Sequence, residues 1–180
     1  RLLDDLLDLS VLENGQVSLN ARQVNLRDVI EQAVTTAQAS SSRRMEIRRK
    51  PRAEEVILFT DADRLAQVFI NLVTNAIKYC DAAGPVLTIA VRQQDEEVIV
   101  RFTDNGSGIP ADSQSLIFEK FARLGSGEGD GAGLGLAICR EIITRLGGEI
   151  RYVQNETGGS FEVRLVRTTR QIATQRLLPV

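Results

Sequence analysis

The sequence predicts an α+β fold: a two-layer sandwich in which a mostly antiparallel mixed sheet is covered on one face by three helices. Three observations carry that expectation. Helical and strand periodicities alternate along the chain instead of separating into blocks. Hairpins outnumber crossovers, since residues 86–92 and 98–103, and again 149–153 and 160–166, read as neighbouring strands joined by polar or glycine-bearing turns. Apolar stripes at helical spacing recur on segments long enough to bury one face. At 180 residues, with 43% hydrophobic and 26% charged side chains, the chain suffices for one packed domain. A domain of that size buries roughly 70% of its unfolded surface.

Taken in order, leucines at 2, 3, 6, 7, 9 and 12 with aspartates at 4, 5 and 8 give a helix over residues 1–14, closed by Gly15. It either packs on its own domain or is the tail of a longer helix from a preceding helical region, because the chain opens at Arg1 in mid-pattern. Residues 17–19 are expected as a short strand. Residues 26–39 form a helix with Leu26, Val29, Ile30, Ala33, Val34 and Ala37 on one face. A serine break at 40–42 precedes a strand at 45–47. Around it Arg43, Arg44, Arg48, Arg49, Lys50 and Arg52 form a basic cluster, read as charges guarding a strand edge or as a docking patch for an acidic partner.

Residues 56–60 are a compact apolar strand, and Asp61 is placed to cap a long helix running to about residue 80. Its buried face is Leu65, Val68, Phe69, Leu72, Val73, Ala76 and Ile77. The 86–92 and 98–103 strands follow, joined by a polar turn at 93–97, and then glycine-rich chain with a short helical or turn segment at 115–121. A last helix at 133–146 stops at Gly147-Gly148, before the final strand pair. Residues 167–180 are polar, a tail or the lead into another domain.

Bulk properties exclude several classes. A formal charge of −2 argues against nucleic acid as a partner. No apolar run approaches the ~20 residues that span a bilayer, and no signal peptide is visible. Cys80 and Cys139 lack metal-ligand spacing and are expected as reduced thiols, with Cys139 on the apolar side of its helix.

Three motifs carry chemistry. Asn71, Asn75 and Lys78 are spaced four and three apart, so they share one face of the long helix, polar within an apolar segment. A buried amide without a partner costs on the order of 1–3 kcal/mol, so two of them beside a lysine call for one explanation. Magnesium supplies it: the ion takes hard oxygen ligands and keeps waters and substrate phosphates, so one or two amide oxygens suffice. Lys78 then reaches a phosphate as a point charge. Asp104, ending a strand and followed by Asn105-Gly106-Ser107-Gly108-Ile109-Pro110, sets a carboxylate at the foot of a cleft. There it would accept from the exocyclic amine of adenine. Gly125, Gly127, Gly129, Gly131, Gly133 and Gly135 then punctuate eleven residues, as a lid over a nucleotide would. Gly133-Leu134-Gly135-Leu136 opens the last helix, where free backbone N–H groups can meet phosphate. The spacing is neither Walker A nor Rossmann.

This ordered series resembles the catalytic and ATP-binding domain of bacterial sensor histidine kinases, in the wider family that includes gyrase B, Hsp90 and MutL. Residues 71–79 resemble the N box and 104–108 the first glycine box. Ile117-Phe118-Glu119-Lys120-Phe121 resembles the F box and residues 131–136 the second glycine box. The resemblance covers about residues 17–166 and implies the Bergerat ATP-binding fold, with ATP and Mg2+ as cofactors. It implies that Asn75 ligates magnesium with help from Asn71, that Lys78 contacts phosphate, that Tyr79 lies against the adenine and that Asp104 binds its amine. Gly106, Gly108, Ile109, Gly131, Gly133, Leu134, Gly135 and Leu136 line the nucleotide. Phe118 and Phe121 anchor the lid, from which Lys120 and Arg123 reach phosphate charge. Residues 1–15 resemble the end of the second dimerisation helix, 16–167 the catalytic domain, and 168–180 a tail or linker.

Members that hydrolyse ATP carry a glutamate four residues before the metal asparagine. Here that residue is Asn71, which favours phosphoryl transfer over hydrolysis. The chain has no histidine, so the acceptor would lie on a dimerisation domain of the same protein, outside this sequence, with a response regulator receiver domain downstream. A nucleotide-sensing module without transfer and a serine kinase of the anti-sigma type are the rival readings. The leucine-rich start favours the histidine kinase. The isolated chain is expected to be monomeric and cytoplasmic, either in its own right or as the cytoplasmic part of a membrane-bound sensor.

Overall fold

The computed structural model describes residues 2–13, 18–122, 133–155 and 158–167. Its elements in chain order are α1 (Leu2–Glu13), β1 (Arg22–Asn25), α2 (Leu26–Ala39), β2 (Glu46–Arg49), a single 3-10 turn (Pro51–Glu54), β3 (Ile57–Thr60), α3 (Ala62–Tyr79), β4 (Val86–Gln94), β5 (Glu97–Asp104), α4 (Ala111–Gln114), α5 (Gly135–Arg145), β6 (Glu149–Asn155) and β7 (Gly158–Val166). A five-stranded sheet runs β2-β4-β5-β7-β6, and β1 pairs with β3 in a separate two-stranded ribbon. Among the described residues only the β2–β4 pairing is parallel. Helix α2 packs on α3, α3 on α5, and α1 on α5.

The helices form where the apolar stripes place them. On α2, Leu26, Val29, Ile30, Ala33, Val34 and Ala37 are all buried, and the Asn25 side chain caps the start by accepting from the Arg27 N–H at 3.1 Å. On α3 the buried face is the expected one, joined by Ala66. Asp61 Oδ1 accepts from the N–H groups of Asp63 and Arg64 at 3.1 and 3.0 Å, and its Oδ2 accepts from the Asn20 N–H at 2.9 Å. Phe69 of α3 meets Phe102 of β5 with ring centroids 5.1 Å apart, and Leu87, Ile89, Val98, Val100 and Val163 complete that side of the sheet. The single layer of helices leaves the other sheet face open, where Arg101 and Arg151 both donate to Glu162, which is 1% exposed.

Several expectations shift. The strand awaited at 17–19 lies instead at Arg22–Asn25, antiparallel to β3 in the register Arg22↔Thr60. Val24 is its only buried residue, so the local pattern carried little signal. The turn between β4 and β5 has two residues, Asp95 and Glu96, with Asp95 at φ 52° closing the hairpin. The segment expected at 115–121 as helical or turn is a run of turns, preceded by the unexpected single-turn helix α4 at Ala111–Gln114 after Pro110, and the last helix starts at Gly135 rather than 133. Gly15, Gly125, Gly127, Gly129 and the tail beyond 167 lie outside the described residues.

The basic cluster is partly structural. The Arg43 guanidinium donates to the carbonyls of Ile77, Lys78 and Cys80 at 3.1, 3.3 and 2.5 Å, closing the C-terminus of α3. Arg49 bridges Glu31 and the fully buried Glu54, tying β2 to α2 and to the 3-10 turn. Arg48 pairs with Glu46 on the same edge strand. Cys80 and Cys139 are buried free thiols, and burial pushes the Cys139 thiol far up. No helix among the described residues is long and apolar enough to cross a membrane.

Candidate functional site

The C-terminal half of α3 forms one wall. Asn71 and Asn75 are half-buried, and the Asn75 amide donates to Asn71 Oδ1 at 3.0 Å. The Asn75 amide oxygen has no partner among the described residues. Lys78 is exposed, and Tyr79 is 66% exposed at the helix end. Gly135, the first residue of α5, abuts this wall: a Cβ there would fall 2.5 Å from Asn71 Nδ2. Only glycine allows the start of α5 so near the asparagine pair. Leu134 at its N-cap offers no side-chain hydrogen bond, so the first N–H groups of α5 are uncapped. Leu134 is fully buried and anchors that end, with Leu136 half-buried beside it.

About 12 Å along α3 from Asn71, by the helical rise of 1.5 Å per residue, the chain turns toward β5. Asp104 ends β5, half-buried, with Oδ1 accepting from the Gly106 N–H at 2.8 Å. Burial pushes its carboxyl above the usual carboxylate range, the Gly106 bond pulls the other way, and the nearby Asp81 adds to the rise. Asp81 Oδ1 accepts from the Ser107 N–H at 2.7 Å, which together with that residue's hydroxyl holds the Asp81 carboxyl low. Asn105 fastens the same corner, accepting from the Val86 N–H at 2.8 Å and donating to the Gly84 carbonyl at 2.9 Å.

The chain leaving the glycine turn continues from Ile109, whose carbonyl accepts from Gln114 Nε2 at 2.8 Å. Phe118 is buried, edge-on to Phe161 with centroids 6.3 Å apart, and the Arg140 guanidinium of α5 lies over the Phe118 ring, 5.9 Å from its centroid. Phe121 is 58% exposed. Lys120, exposed, lines a cavity of about 220 Å³ with Leu9, Phe118, Ala137 and Arg140, and no residue of α3 borders that space. Gly133 sits against the backbone of Phe121 and Ala122, which brings the described residues on either side of 123–132 together. Arg123 and Gly131 lie outside the described residues.

The arrangement therefore joins Asn71, Asn75 and the start of α5 at one end, and Asp104, Gly106 and Gly108 at the other. A model of the family described as histidine kinase-, DNA gyrase B- and HSP90-like ATPase matches residues 60–169. The chain belongs to that family. Its match spans α3 to β7 and contains every candidate residue. The chain is similar to the adaptive-response sensory kinase SasA of Synechocystis sp., 36% identical over 152 residues that make up 83% of this chain and 40% of that protein. It spans less than half the length of such curated relatives. Among solved structures, the mycobacterial sensor histidine kinase MprB superposes with TM-score 0.69 at 25% identity, over 81% of this chain and 97% of that one. The histidine kinase AdeS of Acinetobacter baumannii gives 0.72 at 26%, over 93% and 77%. As a member of this ATPase family, the chain is an ATP-binding domain of the kind that sensor histidine kinases carry.

Sequence reasoning missed Asp81, Tyr152 and Gln154. Asp81 follows the asparagine face directly, so a carboxylate at a helix end was there to be noticed. Tyr152 and Gln154 sit in a plain strand alternation with no motif around them, and only sheet pairing brings them to the glycine turn.

Proposed function

We propose that this chain is the catalytic part of a two-component sensor histidine kinase, transferring the γ-phosphoryl group of ATP to a histidine on a dimerisation domain of the same protein. The observation that carries the reading is the approach of Gly135, at the uncapped start of α5, to the Asn71–Asn75 pair. It makes a phosphate-binding helix end and a hard-oxygen amide set share one corner. Among the described residues no three histidine, cysteine, aspartate or glutamate side chains group to hold a metal ion. An amide site for magnesium that borrows phosphate oxygens fits that donor set. When bound, magnesium supplies charge neutralisation at the phosphates.

The chain's own residues do the rest. Asn75 offers its amide oxygen, without a partner among the described residues, to the metal, and Asn71 orients it by accepting its N–H. Lys78 and the N–H groups opening α5 hold the phosphate oxygens. Asp104 keeps Oδ1 on Gly106 and presents Oδ2 to the adenine amine. Phe118 fixes the lid base, on which Ile109, Lys120, Phe121, Arg123 and Gly131 belong to the closing segment. Positioning and charge compensation account for transfer of this kind, with little covalent work by side chains. Asn71 stands where hydrolytic members of the family resemblance place a glutamate, in keeping with transfer rather than hydrolysis. On this reading residues 1–15 are the end of a dimerisation helix, 16–167 the catalytic domain and 168–180 a tail or linker. The phosphoryl group passes on to a response regulator receiver domain, and the domain works in the cytoplasm, where ATP is available.

Calorimetric titration with ATP and GTP, with and without magnesium, tests this. Magnesium-dependent, adenine-selective binding is the expected result, and equal affinity for the two nucleotides would remove the Asp104 role. With no histidine in the chain, incubation with ATP leaves no phosphohistidine on it. Transfer to a separately supplied histidine-bearing helical domain is expected, and its failure despite ATP binding would favour a nucleotide-sensing module.

A further inference from the structure

The glycine turn after Asp104 is held in part from outside its own motif. The Gly106 N–H donates to Asp104 at 2.8 Å, the Ser107 N–H to Asp81 at 2.7 Å, and the Ile109 N–H to the Tyr152 hydroxyl oxygen at 2.7 Å. Three backbone donors of the turn thus end on side-chain oxygens, which fixes one turn shape. Tyr152 comes from β6, the edge strand two positions across the sheet from β5. Its hydroxyl donates to Gln154 Oε1 at 2.6 Å, and Gln154 Nε2 donates to the Gly158 carbonyl at 3.1 Å. The ring is held by Phe161, with centroids 5.3 Å apart. Glycines make the room: a Cβ at Gly108, where φ is +78°, would come within 2.4 Å of Gln154 and 2.8 Å of the Tyr152 hydroxyl. Burial also raises the Tyr152 hydroxyl above its usual range, so it stays neutral and can both donate and accept at ordinary pH.

We infer that Tyr152, oriented by Gln154, is a positioning residue for adenine recognition. Its hydroxyl pins the end of the turn that aims the free oxygen of Asp104. The inference rests on the adenine reading of Asp104 and deepens it. Tyr152→Phe keeps the ring but leaves a half-buried N–H without its acceptor. The turn then samples other shapes, and the carboxylate loses its fixed aim.

The test compares the wild-type chain, Tyr152→Phe and a control, Ser160→Ala, which deletes a hydrogen-bonded hydroxyl from the opposite face of the same strand pair. Each is titrated with ATP and GTP in the presence of magnesium. Amide exchange at Ile109 is followed by NMR without nucleotide. Tyr152→Phe should speed exchange at Ile109 and weaken ATP about three- to tenfold, the range for one lost neutral hydrogen bond, while leaving GTP nearly unchanged. Unchanged ATP affinity and selectivity, in a chain whose wild type binds ATP, overturns the inference and spares the nucleotide reading. So does an equal loss for both nucleotides matched by Ser160→Ala. A wild type that fails to bind ATP removes the reading and the inference together. If Tyr152→Phe does not fold, Gln154→Ala carries the same comparison: reduced ATP preference supports the role of the hydroxyl, and unaltered preference overturns it.

Discussion

At the scale of single residues, the two ends of the candidate site fail differently when altered. Asn75 holds Asn71 through its N–H and keeps its own oxygen without a partner among the described residues, so Asn75→Ala loses both functions. Magnesium-dependent nucleotide affinity is expected to fall roughly tenfold or more, the range for disturbed metal-site ligands and their supports, with magnesium-free affinity little changed in the same titration. At Asp104 burial outweighs the Gly106 bond and raises the carboxyl above its ordinary range. A carboxyl whose folded pKa is raised is a group whose ionisation weakens the fold at pH above that value. Asp104→Asn is therefore expected to erase the preference for ATP over GTP while slightly raising the melting temperature of the nucleotide-free chain at neutral pH. A lowered melting temperature would contradict the burial argument. Both asparagines and Asp104 were legible in the sequence, because polar side chains on an apolar helix face or at a strand end stand out. Tyr152 was not, because its role depends on a partner more than 40 positions away in sequence.

At the scale of elements, the caps decide where chain becomes helix. Asp61 satisfies two N–H groups of α3 and draws in the Asn20 N–H from the segment before β1. Asp61→Ala should cost about 1–2 kcal/mol of unfolding free energy, read from urea denaturation. A value near zero would mean that the apolar face of α3 alone sets its start. Helices α2, α3 and α5 were legible because each buries a continuous stripe, and periodicity survives any tertiary arrangement. The short elements were not. Strand β1 buries only Val24 and exists because β3 offers it a partner, while α4 is a single turn fixed by Pro110 and by the Gln114 bond to Ile109. The basic cluster shows the same dependence. Its charge was visible, but the capping of α3 by Arg43 required the 34 to 37 positions between them to fold back.

At the scale of the whole molecule, the open face of the sheet makes stability depend on acid. Glu162 is buried between Arg101 and Arg151. Burial raises its carboxyl, but the hydrogen bonds from the two guanidiniums outweigh that and hold it below the ordinary value of 4.5. A carboxylate with a depressed pKa stabilises the fold fully above the unfolded value and loses that contribution as pH falls through the folded one. Unfolding free energy is therefore expected to drop as pH falls below about 4.5, and Glu162→Gln should flatten that limb. At neutral pH the substitution should cost roughly 1–3 kcal/mol, toward the lower end because the arginines are half exposed to screening solvent. An acid limb of unchanged slope in Glu162→Gln would show that other carboxylates govern it.

By itself the sequence determined the fold class, the long helices with their buried faces, and the Asn71, Asn75 and Asp104 positions. These follow from local periodicity and from the chemistry of individual side chains, which act over a few residues. Only the tertiary structure decided that β2 joins the sheet in parallel, that Gly135 meets Asn71, and that Tyr152 reaches the glycine turn. Such contacts depend on which strands become neighbours, and that is set by the packing of the whole core.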